Sequence, residues 1–202
     1  MAETPQRELT SIWTPANIVT CIRIVFIPVF MVFAALPAGT LGLEAPAQAM
    51  TAFVLYVLLS LTDKVDGSLA RSRGEITDFG KFLDPIADKL LVFSALLILL
   101  DQGVVSVWAV FIILVREFLV SAMRMVAGAA GRVIAADSLG KWKTATTMVA
   151  LSGFLLWEAL GETVGGVAVY WFSSVCFAVA VVLTVVSGVQ YLVGARDIIF
   201  KP

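Results

Sequence analysis

The sequence predicts an all-α integral membrane protein, a bundle of six transmembrane helices with both termini in the cytoplasm. Hydrophobic residues make up 60% of the 202 residues, and the mean hydropathy is +0.98; these values are typical of membrane proteins. The apolar residues form six runs, each close to the roughly 20 residues that a helix needs to cross a bilayer. Lys and Arg collect on one side of these runs, which indicates the cytoplasmic side.

The six runs give the expected elements in chain order. We place the spans at about 17–36, 47–69, 80–100, 104–129, 139–160 and 166–194. Pro37 and Pro46 bound the first link, Asp101 to Gly103 form a tight turn before the fourth span, and Gly161 begins the last link. No repeat or separate soluble segment interrupts the series. We therefore expect a single membrane-embedded domain over residues 1–202, with 1–16 as a polar cytosolic segment and no cleaved signal peptide.

The charges orient the spans. The cations fall in the N-terminal region, in the links after spans two and four and their flanking turns, or in the C-terminal tail. The opposite links carry only acids, namely Glu44, Asp101, Glu158 and Glu162. By the positive-inside rule, the cation-bearing links face the cytoplasm. Histidine is absent, which excludes Ser-His-Asp and Cys-His catalysis and any His-ligated metal site.

Four aspartates lie where two apolar runs meet in sequence. Asp63 and Asp66 are three residues apart near the end of span two, and Asp84 and Asp88 are four apart near the start of span three. Each pair shares a helix face, so the pairs can converge between antiparallel spans. A lone Asp at a helix centre costs about 2.5 to 3.5 kcal/mol. A hard divalent cation, Mg²⁺ or Mn²⁺, would neutralise such a cluster.

Small and basic residues accompany the aspartates. The full pattern is D-x2-D-G-x2-A-R-x8-G-x3-D-x3-D, in which the further fixed positions are Gly67, Ala70, Arg71 and Gly80. Glycine and alanine permit a ligand or helix to approach the backbone, and Arg71 can contact a phosphate. The alternative is a solvated loop in which nearby cations pair with the acids. That alternative does not explain the combined spacing.

This pattern resembles the signature of the CDP-alcohol phosphatidyltransferase family. Asn17 to Thr20 with Arg23 and Pro28 resembles the family's first span, and Asp84 to Lys89 its third-span motif. The resemblance implies a six-helix membrane enzyme of the bacterial cell membrane, with its active site facing the cytoplasm. Such enzymes displace CMP from a CDP-linked lipid with an acceptor hydroxyl, and the resemblance also implies a homodimer. Nucleic acid is not expected as a partner.

The same resemblance assigns residues to roles. It implies two metal ions, Mg²⁺ or Mn²⁺, held by Asp63, Asp66, Asp84 and Asp88. Asp88 would also act as the catalytic base for the acceptor hydroxyl. The CDP-lipid would be bound by Asp63, Asp66, Gly67, Ala70, Arg71, Gly80, Asn17 and Thr20.

A second group of cations points to the acceptor. Arg116 lies inside the fourth apolar run, where a charge is a functional candidate. With Arg124, Lys141 and Lys143 it predicts a pocket for an acceptor phosphate, and Arg132 is a further candidate. The elements R-E-x6-R and G-K-x-K-T resemble the branch of the family that uses CDP-diacylglycerol and sn-glycerol 3-phosphate. Ordinary positive-inside anchoring is the alternative interpretation.

Other functions stay open at this point. Within the family, a cardiolipin synthase or a phosphatidylinositol-phosphate synthase would use a different acceptor. A divalent-cation transporter would also place carboxylates in membrane spans. The acids, however, collect at one end of the spans and no broken-helix pair suggests alternating access.

Overall fold

The computed structural model describes residues 13–73, 77–129 and 138–199. For residues 63–73, 78, 81, 129, 195 and 197–199 this description covers the backbone alone. The described residues form six helices and contain no strand. The helices are α1 (Pro15–Ala35), α2 (Ala45–Arg73), α3 (Asp78–Asp101), α4 (Val107–Ala129), α5 (Ser138–Leu160) and α6 (Val164–Ile199).

The helices confirm the number and order of elements predicted from the apolar runs. The largest shift is at the end of α6, which continues to Ile199 instead of residue 194. Within the described part of the chain, three segments are long and apolar enough to cross a membrane: Pro15–Ala35, Ala45–Thr62 and Val164–Gly194. Both α3 and α4 carry charged residues of the candidate sites among their apolar residues.

Contacts divide the chain into two compact units. One contains α1, α2, α3 as far as Ile98, and Glu158–Gly161. The other contains the end of α3 from Leu99, α4, α5 as far as Trp157, and α6. Each unit carries one of the two groups of candidate site residues.

Local sequence explains the limits of α1. The Thr14 hydroxyl caps the helix by accepting the Asn17 N–H at 3.3 Å, and Pro15 occupies the first turn, where it needs no hydrogen-bond partner. At the other end, the Gln48 amide of α2 donates to the carbonyls of Phe33 (3.1 Å) and Leu36 (2.8 Å). This side chain satisfies carbonyls that the end of a helix leaves without partners.

The first unit packs α1 against α2. The buried residues of α1 recur every three or four positions, and they are polar in the first half of the helix and apolar in the second. Its members are Asn17, Thr20, Arg23, Ile27, Phe30 and Ala34. In the apolar half, the rings of Phe30 and Tyr56 lie 5.6 Å apart between centroids. The apolar half of this face packs against α2. The polar half, at the start of α1, carries the side chains that can hydrogen-bond to the aspartate-bearing helices α2 and α3.

The second unit packs aromatic and small residues around α6. The Phe154 ring of α5 lies 5.9 Å from Tyr170 and 6.0 Å from Phe177. Nearby, a Cβ added at Gly153 would overlap the Ser173 side chain, whose hydroxyl donates to the Val169 carbonyl at 2.7 Å. Small residues at such a crossing permit two membrane helices to approach closely, which strengthens their van der Waals contact.

We expect Gly153→Val to destabilise the second unit. The added side chain would displace buried Ser173, and overpacking of this kind typically costs about 1–3 kcal/mol. Thermal unfolding of the purified protein in detergent should therefore begin at a lower temperature. Gly194→Val is the matched control, because Gly194 of α6 is exposed and has no neighbouring atom within 4 Å of an added Cβ. Equal losses in the two variants would contradict the packing role of Gly153.

Candidate functional site

The polar start of α1 forms a stripe of three buried side chains. Asn17, Thr20 and Arg23 follow one another at intervals of three residues and are at most 3% exposed. Residues at this spacing lie on one helix face. Buried polar groups need partners, and the partners of this stripe come from α2 and from the start of α3.

Thr20 contacts one of the predicted metal ligands. Its hydroxyl donates to Asp84 Oδ1 of α3 at 2.8 Å and also lies 3.1 Å from the Ala16 carbonyl of its own helix. Asp84 is exposed, whereas Thr20 is 1% exposed. This hydrogen bond from a buried hydroxyl restricts the orientation of the more exposed carboxylate.

Asn17 meets the start of α3. Its amide donates to Thr77 Oγ1 at 2.7 Å, and the Gly80 N–H donates to the same oxygen at 3.0 Å. A Cβ added at Gly80 would lie only 2.5 Å from Asn17 Oδ1. The glycine is therefore needed for the close approach of α1 and α3, and a role for Gly80 in nucleotide binding stays a prediction.

Arg23 is a candidate that the sequence did not place in the site. Its guanidinium is 1% exposed, and Nε donates to Thr62 Oγ1 of α2 at 3.4 Å. Thr62 directly precedes Asp63. Helix α1 therefore contacts α2 next to Asp63 through Arg23, and it contacts Asp84 of α3 through Thr20. The signal for Arg23 was its place three residues after Thr20, on the same helix face.

The four aspartates are described to different extents. Asp84 and Asp88 lie one turn apart on α3, Asp84 exposed and Asp88 half-buried. Asp63 and Asp66 lie in α2, as do Gly67, Ala70 and Arg71, but these five side chains are outside the described part. Among the side chains that are described, no three acids, cysteines or histidines form a metal-binding group. The metal assignment therefore stays a prediction.

The described donors nevertheless fit a hard cation. Asp84 and Asp88 supply carboxylate oxygens, the ligands that Mg²⁺ and Mn²⁺ prefer. Thr20 holds the Asp84 carboxylate in the way that a hydrogen-bonding neighbour orients a metal ligand.

In the second unit, an acid joins two of the predicted acceptor-binding cations. Glu117 Oε1 accepts from Arg116 Nη1 at 2.9 Å and from Lys143 Nζ at 2.5 Å. Arg116 Nη2 also donates to Ser187 Oγ of α6 at 3.1 Å. Its Nε is buried and has no acceptor among the described residues. This cluster thus joins α4, α5 and α6 through charged contacts.

The other predicted cations differ in position. Arg124 donates from Nη2 to the Tyr191 hydroxyl at 2.5 Å. Lys143 is 5% exposed, whereas Lys141 is exposed. Two residues of separation turn a helix by about 200°, so these lysines lie on different faces of α5. Arg132 lies outside the described residues.

Comparison with known proteins decides the family. The sequence profile described as CDP-alcohol phosphatidyltransferase matches residues 13–186, which include the aspartate pattern and the Arg116 to Lys143 region. The chain belongs to the CDP-alcohol phosphatidyltransferase family. It is therefore an enzyme of phospholipid synthesis and an integral membrane protein, and divalent-metal dependence is general in this family.

Three bacterial proteins are similar to this chain over most of their length. A CDP-diacylglycerol–glycerol-3-phosphate 3-phosphatidyltransferase of Bacillus subtilis is 41% identical over 180 residues, which cover 87% of this chain and 91% of the relative. A probable phosphatidylglycerophosphate synthase of Mycobacterium tuberculosis is 40% identical, over 91% of this chain and 82% of the relative. A Salmonella typhimurium protein with the same name as the Bacillus one is 35% identical, over 89% and 93%.

Several residues near the site escaped the sequence analysis of this family member. Thr77 and Tyr191 carry no charge, and nothing in their local sequence distinguishes them from other polar residues. Ser187 was notable only as a small residue beside Gly188. Glu117 was noticed only as the neighbour of Arg116. The structure adds these residues as direct partners of the predicted ones.

We expect Thr20→Val to weaken divalent-metal binding. The change keeps the shape of the side chain but removes the hydroxyl that orients Asp84, and the loss of such a partner typically reduces metal affinity by about 10- to 100-fold. The measurement is the Mn²⁺ concentration that gives half of the maximal thermal stabilisation.

The matched control is Thr51→Val. The Thr51 hydroxyl bonds only the Ala47 carbonyl of its own helix at 2.8 Å. Its Mn²⁺ midpoint should match that of the unmodified protein. If the Mn²⁺ midpoint of Thr20→Val equals that of the unmodified protein, then either Asp84 does not bind the metal or Thr20 does not orient Asp84.

Proposed function

We propose that this enzyme transfers the phosphatidyl group of CDP-diacylglycerol to sn-glycerol 3-phosphate, producing phosphatidylglycerophosphate and CMP. The relatives that carry this activity in their names are 35–41% identical over most of the chain. The observation that carries the choice of acceptor is the cation group around Arg116. Its surplus of positive charge suits an acceptor that is itself a phosphate ester.

The donor side belongs to the first unit. In this proposal all six helices cross the membrane as one catalytic domain, with both termini and the aspartates at the cytoplasmic surface. The acyl chains of CDP-diacylglycerol stay in the bilayer while its diphosphate reaches the aspartates. Gly67, Ala70 and Arg71, with Asn17, Thr20 and Gly80, would bind the cytidine nucleotide. The polar first turns of α1 support this assignment because they meet the start of α3 there.

A divalent metal completes the donor site. Asp63, Asp66, Asp84 and Asp88 would hold Mg²⁺ or Mn²⁺, as two ions. When bound, the metal supplies positive charge that neutralises the diphosphate and stabilises the departing CMP. Thr20 keeps the Asp84 carboxylate oriented for this role.

The chain's own groups then position and deprotonate the acceptor. Asp88 accepts the proton of a glycerol phosphate hydroxyl whose oxygen attacks the phosphorus that carries diacylglycerol. A new P–O bond forms to the acceptor as the bond between this phosphorus and the CMP oxygen breaks. Positioning and charge stabilisation provide most of the catalysis in such a transfer.

The acceptor phosphate belongs to the cation group. Arg116, Arg124 and Lys143 would bind it, and Lys141 would attract it from the exposed face of α5. Glu117 reduces the repulsion between Arg116 and Lys143 while no phosphate is bound. Three cations and one acid leave a net positive charge for a phosphate.

The assembly is proposed to be a homodimer. Small residues occupy positions 128–131, and Ser187 and Gly188 are a second small pair; small residues permit close contact between helices. Ser187 and Gly188 already have a partner within the chain, since a Cβ added at Gly188 would lie 3.2 Å from Arg116 Cγ. The end of α4 at Gly128, which has open space beside it, is the better candidate for contact between two chains.

The first test is the choice of acceptor. Purified protein with CDP-diacylglycerol and Mg²⁺ should release CMP with sn-glycerol 3-phosphate, and Asp84→Asn should abolish this release without loss of folding. Release with inositol phosphate or phosphatidylglycerol alone would identify a different branch of the family. If none of these acceptors leads to CMP release, with Mn²⁺ also tried and folding verified, the assigned activity is wrong.

The second test concerns Arg116. We expect Arg116→Ala to raise the KM for sn-glycerol 3-phosphate by about 10- to 100-fold, because a hydrogen bond to a charged group contributes about 1.5–3 kcal/mol. The KM for CDP-diacylglycerol should stay nearly constant. Arg196→Ala, which removes an exposed cation from the last turn of α6, is the control. Equal losses for donor and acceptor would make Arg116 a structural residue.

A further inference from the structure

Tyr191 of α6 occupies the space between two of the acceptor-binding cations. Its side chain is 4% exposed and packs in one buried cluster with Val120 and Met123 of α4. These two residues lie on α4 between Arg116 and Arg124. The Tyr191 ring is therefore inserted at the level of α4 that separates the two arginines.

Both guanidinium groups contact Tyr191. The Arg116 Cζ lies 5.7 Å from the ring centroid, and the Arg124 Cζ lies 5.3 Å from it. Both distances are within the range of a cation–π contact, in which the electron-rich ring face attracts the cation. The tyrosine hydroxyl adds a hydrogen bond, since it accepts from Arg124 Nη2 at 2.5 Å.

The neighbours of Tyr191 on α6 fix Arg116 from another side. Ser187, one turn earlier, accepts from Arg116 Nη2 at 3.1 Å. A Cβ added at Gly188 would lie 3.2 Å from Arg116 Cγ, so the glycine leaves room for the arginine stem. Ser187, Gly188 and Tyr191 thus form one surface of α6 that holds the arginine side chain along its length.

Two arginines on one helix repel each other and each can adopt many rotamers. A ligand that needs both must overcome this repulsion and restrict these rotamers when it binds. The Tyr191 ring attracts both cations, and its hydroxyl fixes one of them. Folding therefore already offsets part of the free-energy cost of holding the two arginines together. Arg124 remains exposed and can still meet a ligand.

We propose that Tyr191 is the positioning residue that holds Arg116 and Arg124 in the arrangement that binds the acceptor phosphate. This inference rests on the proposed function, because it requires a phosphorylated acceptor. Tyr191 does not itself touch the reacting atoms. It acts through the two arginines, so its removal should affect the acceptor and spare the donor.

Two substitutions separate the hydroxyl from the ring. Tyr191→Phe removes the hydrogen bond to Arg124 and keeps the ring; the KM for sn-glycerol 3-phosphate should rise about three- to tenfold. Tyr191→Leu also removes both ring contacts, and the same KM should rise about 30- to 100-fold. In both variants, kcat at saturating acceptor and the KM for CDP-diacylglycerol should stay within about twofold of the original values.

A binding measurement without turnover accompanies the kinetics. With no CDP-diacylglycerol present, sn-glycerol 3-phosphate should raise the Tm of the unmodified protein, because a ligand that binds the folded state stabilises it. The concentration needed for a given shift should rise in the order unmodified protein, Tyr191→Phe, Tyr191→Leu. Phe177→Leu is the matched control, since it removes another buried ring of α6, 8% exposed and packed on Phe154.

The outcomes are distinguishable. Phe177→Leu should lower the Tm and leave the KM for the acceptor unchanged; if the Tyr191 variants behave in the same way, Tyr191 only packs two helices and the inference is wrong. An equal rise of both KM values would also overturn it. If the unmodified protein releases CMP only with an acceptor that lacks a phosphomonoester, the proposed function fails first, and the inference fails with it.

Discussion

The pairing of buried polar and charged groups between helices is the interaction on which this structure depends. In lipid, helices gain little from hydrophobic association, so packing and interhelical hydrogen bonds determine which helices meet. An unpaired charge in such surroundings is strongly unfavourable. Arg23 meets Thr62, and Arg116 meets Ser187, in each case on a different helix. The contacts that offset the cost of burying charge are therefore also the contacts that define helix positions.

In the first unit, this pairing makes α1 the support of the aspartate-bearing helices. Thr20 binds Asp84 directly, Asn17 binds the residue before α3, and Arg23 contacts α2 beside Asp63. Four carboxylates that converge would repel one another, and the proposed metal site requires that they be held in place before the metal arrives. A separate helix with three donors at one-turn spacing can do so because its own backbone hydrogen bonds are already satisfied within the helix.

In the second unit, the pairing explains why an acid stands among cations that would bind phosphate. Lys143 is buried and the Arg116 side chain is 11% exposed, and Glu117 accepts from each. Without that acid, two largely buried positive charges would lack a counter-charge whenever no ligand is bound. Arg124, which is exposed, is held instead by the ring and hydroxyl of Tyr191. One cation pair is thus stabilised by opposite charge and one pair by an aromatic ring, and the exposed side of Arg124 stays accessible.

The sequence by itself determined the number of helices, their approximate limits and the aspartate pattern, because apolar runs of bilayer length and one-turn spacings are local properties. It also identified Arg116, since a charge inside an apolar run is locally visible. Helical period further separates Lys141 from Lys143 by about 200°, but only the structure decided that Lys143 is the buried one. Tyr191 lies 67 positions from Arg124, and Ser187 lies 71 from Arg116. Such partners follow from how α4 and α6 pack, and no local pattern encodes that packing.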